Sequence, residues 1–237
     1  MAYGVKLHVW GAYACFTRPE MKVERVSYDV LTPSAARGIL EAIHWKPAIR
    51  WVIDRIHVLK PIRFDTVRRN EIGSKIAPNQ VRAAMSSGES ERLAVVIDDD
   101  RQQRATALLR DVAYVIEAHF KLTVAATDDD TAAKHQAMFN RRAAKGQCFH
   151  RPYLGTREFA AHFAPVTGAP PRSELPADQR GLDLGWMLYD IDFAGGPSPR
   201  FFRALLRGGK LVHTPATHAP VTAGKNSRKK ATKKMII

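Results

Sequence analysis

Between Val5 and Asp54 the spacing of apolar side chains changes period twice, and that succession constrains the fold more than any other feature of the chain. In "VKLHVW", Val5, Leu7 and Val9 alternate with Lys6, His8 and Trp10. That period of two belongs to a strand with one buried and one wetted face. Within "LTPSAARGILEAIHW" the period becomes helical. Ile39, Leu40 and Ile43 share one stripe, Thr32 suits the N-cap and Pro33 the first helical position. Pro47 ends the helix. From Ala48 onward Ile49, Trp51 and Ile53 alternate with Arg50, Val52 and Asp54, so a second strand runs towards "VLKPI".

The remainder repeats the theme. Residues 67 to 76 and 93 to 97 read as shorter strands separated by a polar stretch. The β-branched and aromatic residues of "RATALLRDVAYVIEAHFKLTV" favour a long strand, expected to pair back on "ERLAVVI" across "DDDRQQ" as a hairpin. A helix follows, with Thr131 as N-cap and Gly146 where a C-terminal glycine belongs. Beyond it lie the loop "CFHRPYLGTREF", a proline-rich break, and two or three strands in "LGWMLYDIDF" and "RFFRALLRGGKLVHTP". Strand, helix, strands, helix, strands is the order of an α+β sandwich of the ferredoxin-like kind, with helices on one face of the sheet.

Charge narrows the partner. Lys and Arg number 37 against 23 acids, leaving a formal +14 and a sequence pI near 10.1. Such an excess points to a polyanion, nucleic acid before an anionic membrane. Hydrophobic residues, at 45%, suffice for a real core. No stretch approaches the roughly 20 apolar residues that cross a bilayer. The opening "MAYGVKLHVWGAY" alternates like a strand and not like a secretory leader. Cys15 and Cys148 match no metal or redox spacing. A cytoplasmic, reduced protein is expected. From Thr214 the chain carries six basic residues and no acid, too polar a composition to order itself. A solubilising tail and an electrostatic arm for nucleic acid both fit it, and +8 remains on the rest of the chain without it.

The densest basic element is the helix in "AAKHQAMFNRRAAKGQ". Residues three or four apart share a helix face. Lys134, Met138, Arg141 and Lys145 form one row, and His135, Phe139 and Arg142 the next. Ala133, Ala137 and Ala144 are expected to press against a sheet. No acid offsets the repulsion of these like charges, roughly 0.2–0.5 kcal/mol per close pair; a phosphate backbone would. Lys134 and His135 also stand at the helix start, where free N–H groups favour an anion. A phosphate there meets an ammonium and a titratable imidazole, which suits attack by a ribose 2′-hydroxyl on the neighbouring phosphate. That reaction needs a base, a cation for the phosphorane and an acid for the departing 5′-oxygen. It needs no metal. The consecutive Asp128 to Asp130 suit a helix-start role better than a cation site. His44, at the end of the first helix, is open to two readings: a cap in the helix dipole or a catalytic group.

Together "FTRPEMKVERVSYDVLTPSAARGILEAIHWKPAIRWVI", the pair Lys134-His135, "GQCFHRPYLGTREF" and "LGWMLYDIDF" resemble the CRISPR-associated Cas-five proteins of the d (Dvulg, subtype I-C) branch, over roughly residues 3 to 213. The resemblance implies a repeat-associated (RAMP) protein: a ferredoxin-like domain over 1–175, a small C-terminal antiparallel β extension over 176–213, and a basic tail over 214–237. It implies an endoribonuclease that cuts CRISPR precursor RNA at the base of the repeat hairpin. Such an enzyme uses neither metal nor cofactor, leaves a 2′,3′-cyclic phosphate and keeps the 5′ handle beside the backbone and large subunits of the interference complex. Non-specific DNA binding is compatible with the charge. The family's catalytic trio is a tyrosine in Ile-Tyr-Trp-Lys-Pro with an adjacent lysine and histidine. Lys134 and His135 match, and His44 stands in the tyrosine's place within Ile43-His44-Trp45-Lys46-Pro47. Imidazole, with an ordinary pKa of about 6.5, is a better base near neutrality than a phenol at about 10. Lys46, Arg141, Arg142 and Lys145 are expected to grip backbone, and Phe149, His150, Arg151 and Arg157 to stack on bases or contact phosphates. A non-cutting guide-RNA subunit and a metal-dependent DNA nuclease remain as competing readings.

Overall fold

The computed structural model describes residues 4–193 and 196–212; the basic tail singled out above lies outside them. Eight strands form one antiparallel sheet: β1 (Gly4–Ala14), β2 (Ile49–Val58), β3 (Phe64–Ile72), β4 (Arg101–Leu122), β5 (His162–Pro165), β6 (Asp183–Asp192), β7 (Ser198–Arg207) and β8 (Lys210–Val212). The helices are α1 (Pro33–Ile43), α2 (Pro78–Ser87) and α3 (Ala132–Ala144). Strands run in the order β5-β1-β4-β2-β8-β7-β6, with β3 paired to β4 off that path. Its first four members, with α1 after β1 and α3 after β4, reproduce the ferredoxin-like βαββαβ arrangement.

The core follows from the periodicities. Val5, Leu7 and Val9 of β1, Ile49, Trp51 and Ile53 of β2, and Tyr114, Ile116, Ala118 and Phe120 of β4 are buried, as are Ile39, Leu40 and Ile43 of α1 and Phe139 and Ala143 of α3. Each large side chain so buried contributes roughly 1.5–3 kcal/mol. Thr32 caps α1 by accepting from the Ala35 N–H at 3.2 Å, with Pro33 as its first residue. The tail of the chain adds β6, β7 and β8 to the same sheet, β8 pairing with β2 through Ile56↔Leu211 and His57↔Lys210.

Four expectations need correction. The strand expected at 67 to 76 ends at Ile72, and residues 93 to 97 form none. They follow a short 3₁₀ turn, and Val96 and Ile97 lie exposed. The hairpin partner of the long strand is β3, in register from Phe64↔Leu109 to Ile72↔Arg101. That edge of β4 is taken by β3; a short apolar run such as Leu93 to Ile97 suggests a strand but does not specify its neighbour. Gly73 donates to Asp100 O at 2.9 Å and Ser74 N–H to Asp100 Oδ2 at 2.7 Å, closing the base of this excursion. The polar stretch between contains α2, with Pro78 at its start and Gly88 at φ 78° after its end.

The fourth correction is the rotation of α3. His135, Phe139 and Ala143 face the core, whereas Ala133, Ala137 and Ala144 are exposed. Burying a phenyl ring outweighs burying a methyl group, so Phe139 fixes the helix and packs its ring 5.0 Å from that of Trp51. The solvent-facing row is Lys134, Arg141 and Lys145, while His135 turns inward.

Candidate active site

α1 carries His44 to the site. The helix stops because His44 adopts an extended backbone (φ −150°, ψ 116°) and Pro47 forbids a further turn. Its last carbonyls are claimed by three segments. Phe149 N–H donates to Ala42 O at 2.8 Å, Arg142 Nη1 to Ile43 O at 2.9 Å, and Trp51 Nε1 to His44 O at 2.9 Å. The loop after α3, α3 itself and β2 therefore meet at one helix end and hold His44 in place. This satisfies carbonyls that a helix terminus otherwise leaves open.

α3 brings His135 to the same point. Thr131 Oγ1 accepts from the Lys134 N–H at 3.3 Å, starting the helix. One residue on, His135 points inward against the edge of Phe120, ring centres 6.1 Å apart. His44 Nε2 and His135 Nδ1 are 3.0 Å apart, a hydrogen bond between two imidazoles that are 0% and 1% exposed. The two outer nitrogens differ. Asp130 Oδ1 lies 3.3 Å from His135 Nε2, within ion-pair distance though short of good hydrogen-bond geometry. His44 Nδ1 is buried with no hydrogen-bond partner among the described residues. Burial first, then the charges of Arg142, His135 and Lys46, lowers the His44 pKa to about 4, so it is neutral at neutral pH. Asp130 is held below the usual carboxylate range by the Thr127 N–H and hydroxyl, helped by Lys134 and His135. The acids before α3 therefore form a turn, Asp130 N–H donating to Thr127 O at 2.9 Å, and supply no residue to the helix's first turn. Among the described residues no group of three His, Cys, Asp or Glu could hold a metal ion.

Lys134 diverges from its neighbour. Its ammonium is on the exposed side and donates to Asp129 O at 3.0 Å. Beside the imidazole pair opens a cavity of about 520 Å³ lined by Glu41, Trp45, Lys46, Pro47, Arg142, Phe149 and His150. It shares Glu41 and Trp45 with a second cavity of about 390 Å³ reaching Arg50 and Arg200. That one in turn shares Arg37 and Arg50 with a third beside Lys121. The three make a groove along α1 in which Arg37, Lys46, Arg50, Lys121, Arg142 and Arg200 outnumber Glu41, Asp190 and Asp192. Arg37 and Arg200 are paired to the two aspartates. Trp45 (52% exposed) and Phe149 (89% exposed) stand at its mouth as large unpacked rings, and His150 stacks on Tyr153.

Of the residues singled out by sequence, the fold unites His44 with His135, and Lys46, Arg142, Phe149 and His150 around one cavity. Arg141 and Lys145 remain on the outer face of α3. Arg151 and Arg157 are exposed in the following loop and do not line the cavity. That loop is pinned at Gly155, whose φ of 91° and close approach, a Cβ there falling 1.9 Å from Cys15 O, admit only glycine. Sequence reasoning passed over Trp45, an aromatic between His44 and Lys46 that could have signalled a stacking surface. It also passed over Asp130 as a partner of His135, for which the only signal was its place just before the helix.

The strand order defines a protein of the ferredoxin-like fold. The family profile described as CRISPR-associated protein (Cas_Cas5), in its Cas5d form, matches residues 4–211, and the chain belongs to the Cas5d family. It is 59% identical over 221 residues to the "CRISPR pre-crRNA endoribonuclease Cas5d" of Mannheimia succiniciproducens, spanning 92% of this chain and 98% of that one. To the protein of the same name from Thermus thermophilus it is 42% identical over 226 residues, 87% of this chain and 90% of that one. Two crystal structures share its fold at 21% identity. A CRISPR-associated protein matches with a TM-score of 0.61 over 90% of this chain and 92% of its own. A functionally uncharacterized protein of Streptococcus mutans matches with 0.63 over 90% and 93%. No helix among the described residues is long and apolar enough to cross a membrane.

Proposed function

We propose that the protein is a metal-independent endoribonuclease of the cytoplasm that cuts CRISPR precursor RNA at the base of the repeat hairpin. It then retains the 5′ handle beside the backbone and large subunits of an interference complex. In this reading residues 1–175 form the body that binds and cuts, and 176–213 a β extension on the β2 edge. The observation that carries it is the buried imidazole pair, His44 Nε2 to His135 Nδ1 at 3.0 Å, next to a cavity that bears Lys46 and Arg142 and is walled by aromatic rings. A neutral imidazole takes the proton of the ribose 2′-hydroxyl. Lys134, released from Asp129 O, meets the charge that grows on the phosphorane and protonates the departing 5′-oxygen. Lys46, Arg142 and the outer Arg141 and Lys145 hold backbone, and Trp45, Phe149 and His150 stack on unpaired bases. The names of the Mannheimia and Thermus relatives, pre-crRNA endoribonucleases, support the same reaction.

Complete burial of both imidazoles favours a second reading, a subunit that binds the handle without cutting. Cleavage requires docked RNA to part α3 from the loop over the α1 end; holding RNA does not. Incubation of purified protein with its repeat RNA in excess chelator separates the two. Cutting that leaves a 2′,3′-cyclic end on the 5′ fragment is expected. Tight binding without cutting would favour the second reading, and metal-restored cutting of DNA would overturn both.

A further inference from the structure

The four ring nitrogens of the imidazole pair have four different surroundings. Asp130 Oδ2 is occupied by the Thr127 N–H and hydroxyl, at 3.1 and 3.0 Å, so its free oxygen Oδ1 is the one that faces His135 Nε2 at 3.3 Å. A carboxylate only accepts hydrogen bonds. The hydrogen of a neutral His135 therefore sits on Nε2, since a lone pair there would oppose the negative oxygen. Its Nδ1 is then an acceptor, and the partner 3.0 Å away, His44 Nε2, must donate. That leaves His44 Nδ1 bare; like His135 Nε2 it is buried without a hydrogen bond among the described residues, but unlike His135 Nε2 it has no carboxylate recorded within ion-pair distance. The charged side chains acting on His44, Arg142 and Lys46, are cations that oppose a second proton on it, and Phe120 closes the other side of His135.

We propose that Asp130, acting through His135, fixes the tautomer of His44 so that Nδ1 presents a lone pair. His44 is then the catalytic base, and Asp130 and His135 are positioning residues. This rests on the cleavage reading above. In the step it serves, the 2′-oxygen bonds to phosphorus as its proton passes to His44 Nδ1. The P–O5′ bond breaks, the electron pair leaves on O5′, and O5′ takes a proton from the Lys134 ammonium. Positive charge formed on His44 is shared through the hydrogen bond with His135 and offset by Asp130, the logic of a carboxylate-oriented imidazole with one more ring interposed.

Long-range proton–nitrogen correlation NMR on the RNA-free protein tests it, at about pH 8 where imidazoles of ordinary pKa are neutral. His44 and His135 should both be protonated at Nε2, with His44 Nδ1 bare. In Asp130→Asn the Thr127 donors still claim the carbonyl oxygen, so the amide NH₂ turns to His135 and both tautomers invert. Cleavage should then fall by about 10²–10⁴-fold with hairpin affinity unchanged. Thr127→Val loosens the same turn but leaves the carboxylate facing His135, and should keep the wild-type tautomers. Protonation of His44 at Nδ1 in the wild type overturns the proposal, and so do unaltered tautomers or an unaltered rate in Asp130→Asn. The tautomers are read without RNA, so a wild-type protein that fails to cut defeats the cleavage reading separately.

Discussion

Taking the His44 imidazole out of water costs it its proton. In the unfolded chain it titrates near 6.5, in the fold near 4. Between those values the unfolded state binds a proton that the folded state refuses, so stability is fully present above about 6.5 and declines as pH falls towards 4. The contribution lost by pH 5 is about 2 kcal/mol. Denaturant unfolding at pH 7.5 and 5 should show the wild type losing about that much more than His44→Gln; equal acid sensitivity in the two would contradict the burial account. The motif Ile43-His44-Trp45-Lys46-Pro47 was legible as a departure from the family pattern, and the resemblance paired His44 with His135, which the fold places 3.0 Å away. Their burial was not legible. It depends on Phe149, Arg142 and Trp51 arriving at the α1 end from segments distant in sequence, and no local pattern announces such donors.

At the scale of the helix, α3 has two basic residues with different work. Arg141 faces out with Lys134 and Lys145, while the half-buried Arg142 donates to Ile43 O at 2.9 Å and lines the cavity. Arg141→Ala should leave stability within about 0.5 kcal/mol and reduce the salt dependence of RNA binding by about one phosphate contact. Arg142→Ala should destabilise by about 1–3 kcal/mol, because it strips a charged donor from a helix-end carbonyl. Thermal denaturation and salt-titrated binding check both; an Arg142→Ala protein as stable as wild type would remove its structural role. The ends of this helix could be read in the sequence, since Thr131 and Gly146 carry local chemistry. Its rotation could not, because alanines suit either side and only the packing of Phe139 against Trp51 decides. The excursion from β3 to β4 failed for a related reason: the apolar run at 93–97 implied a strand but not its partner, and the β4 edge is held by β3. α2, which begins at Pro78 and ends before Gly88, was passed over because its stretch is too polar to show a helical stripe.

Across the whole molecule much of the ferredoxin-like order was legible: β1, α1 and β2 from the two switches of spacing, β4 from its β-branched and aromatic content and α3 from its caps, whereas the four-residue β5 (His162–Pro165) was not read. Less legible was the single continuous sheet, in which β8 joins β2 and carries β6 and β7 with it; three short strands far along the chain do not state their partner. The architecture sets α1 and α3 side by side on one sheet face, so the end of one and the start of the other enclose the two imidazoles, with the cationic groove running away along α1. The scissile linkage of the RNA is expected to meet the protein at that point. The direct measurement is a structure of the complex with repeat RNA made uncleavable by a 2′-deoxy substitution at the cut. The 2′-carbon of that nucleotide should lie against His44, and the scissile phosphate within hydrogen-bonding reach of Lys134. A scissile phosphate bound elsewhere on the groove, with the imidazole pair still sealed, would contradict it.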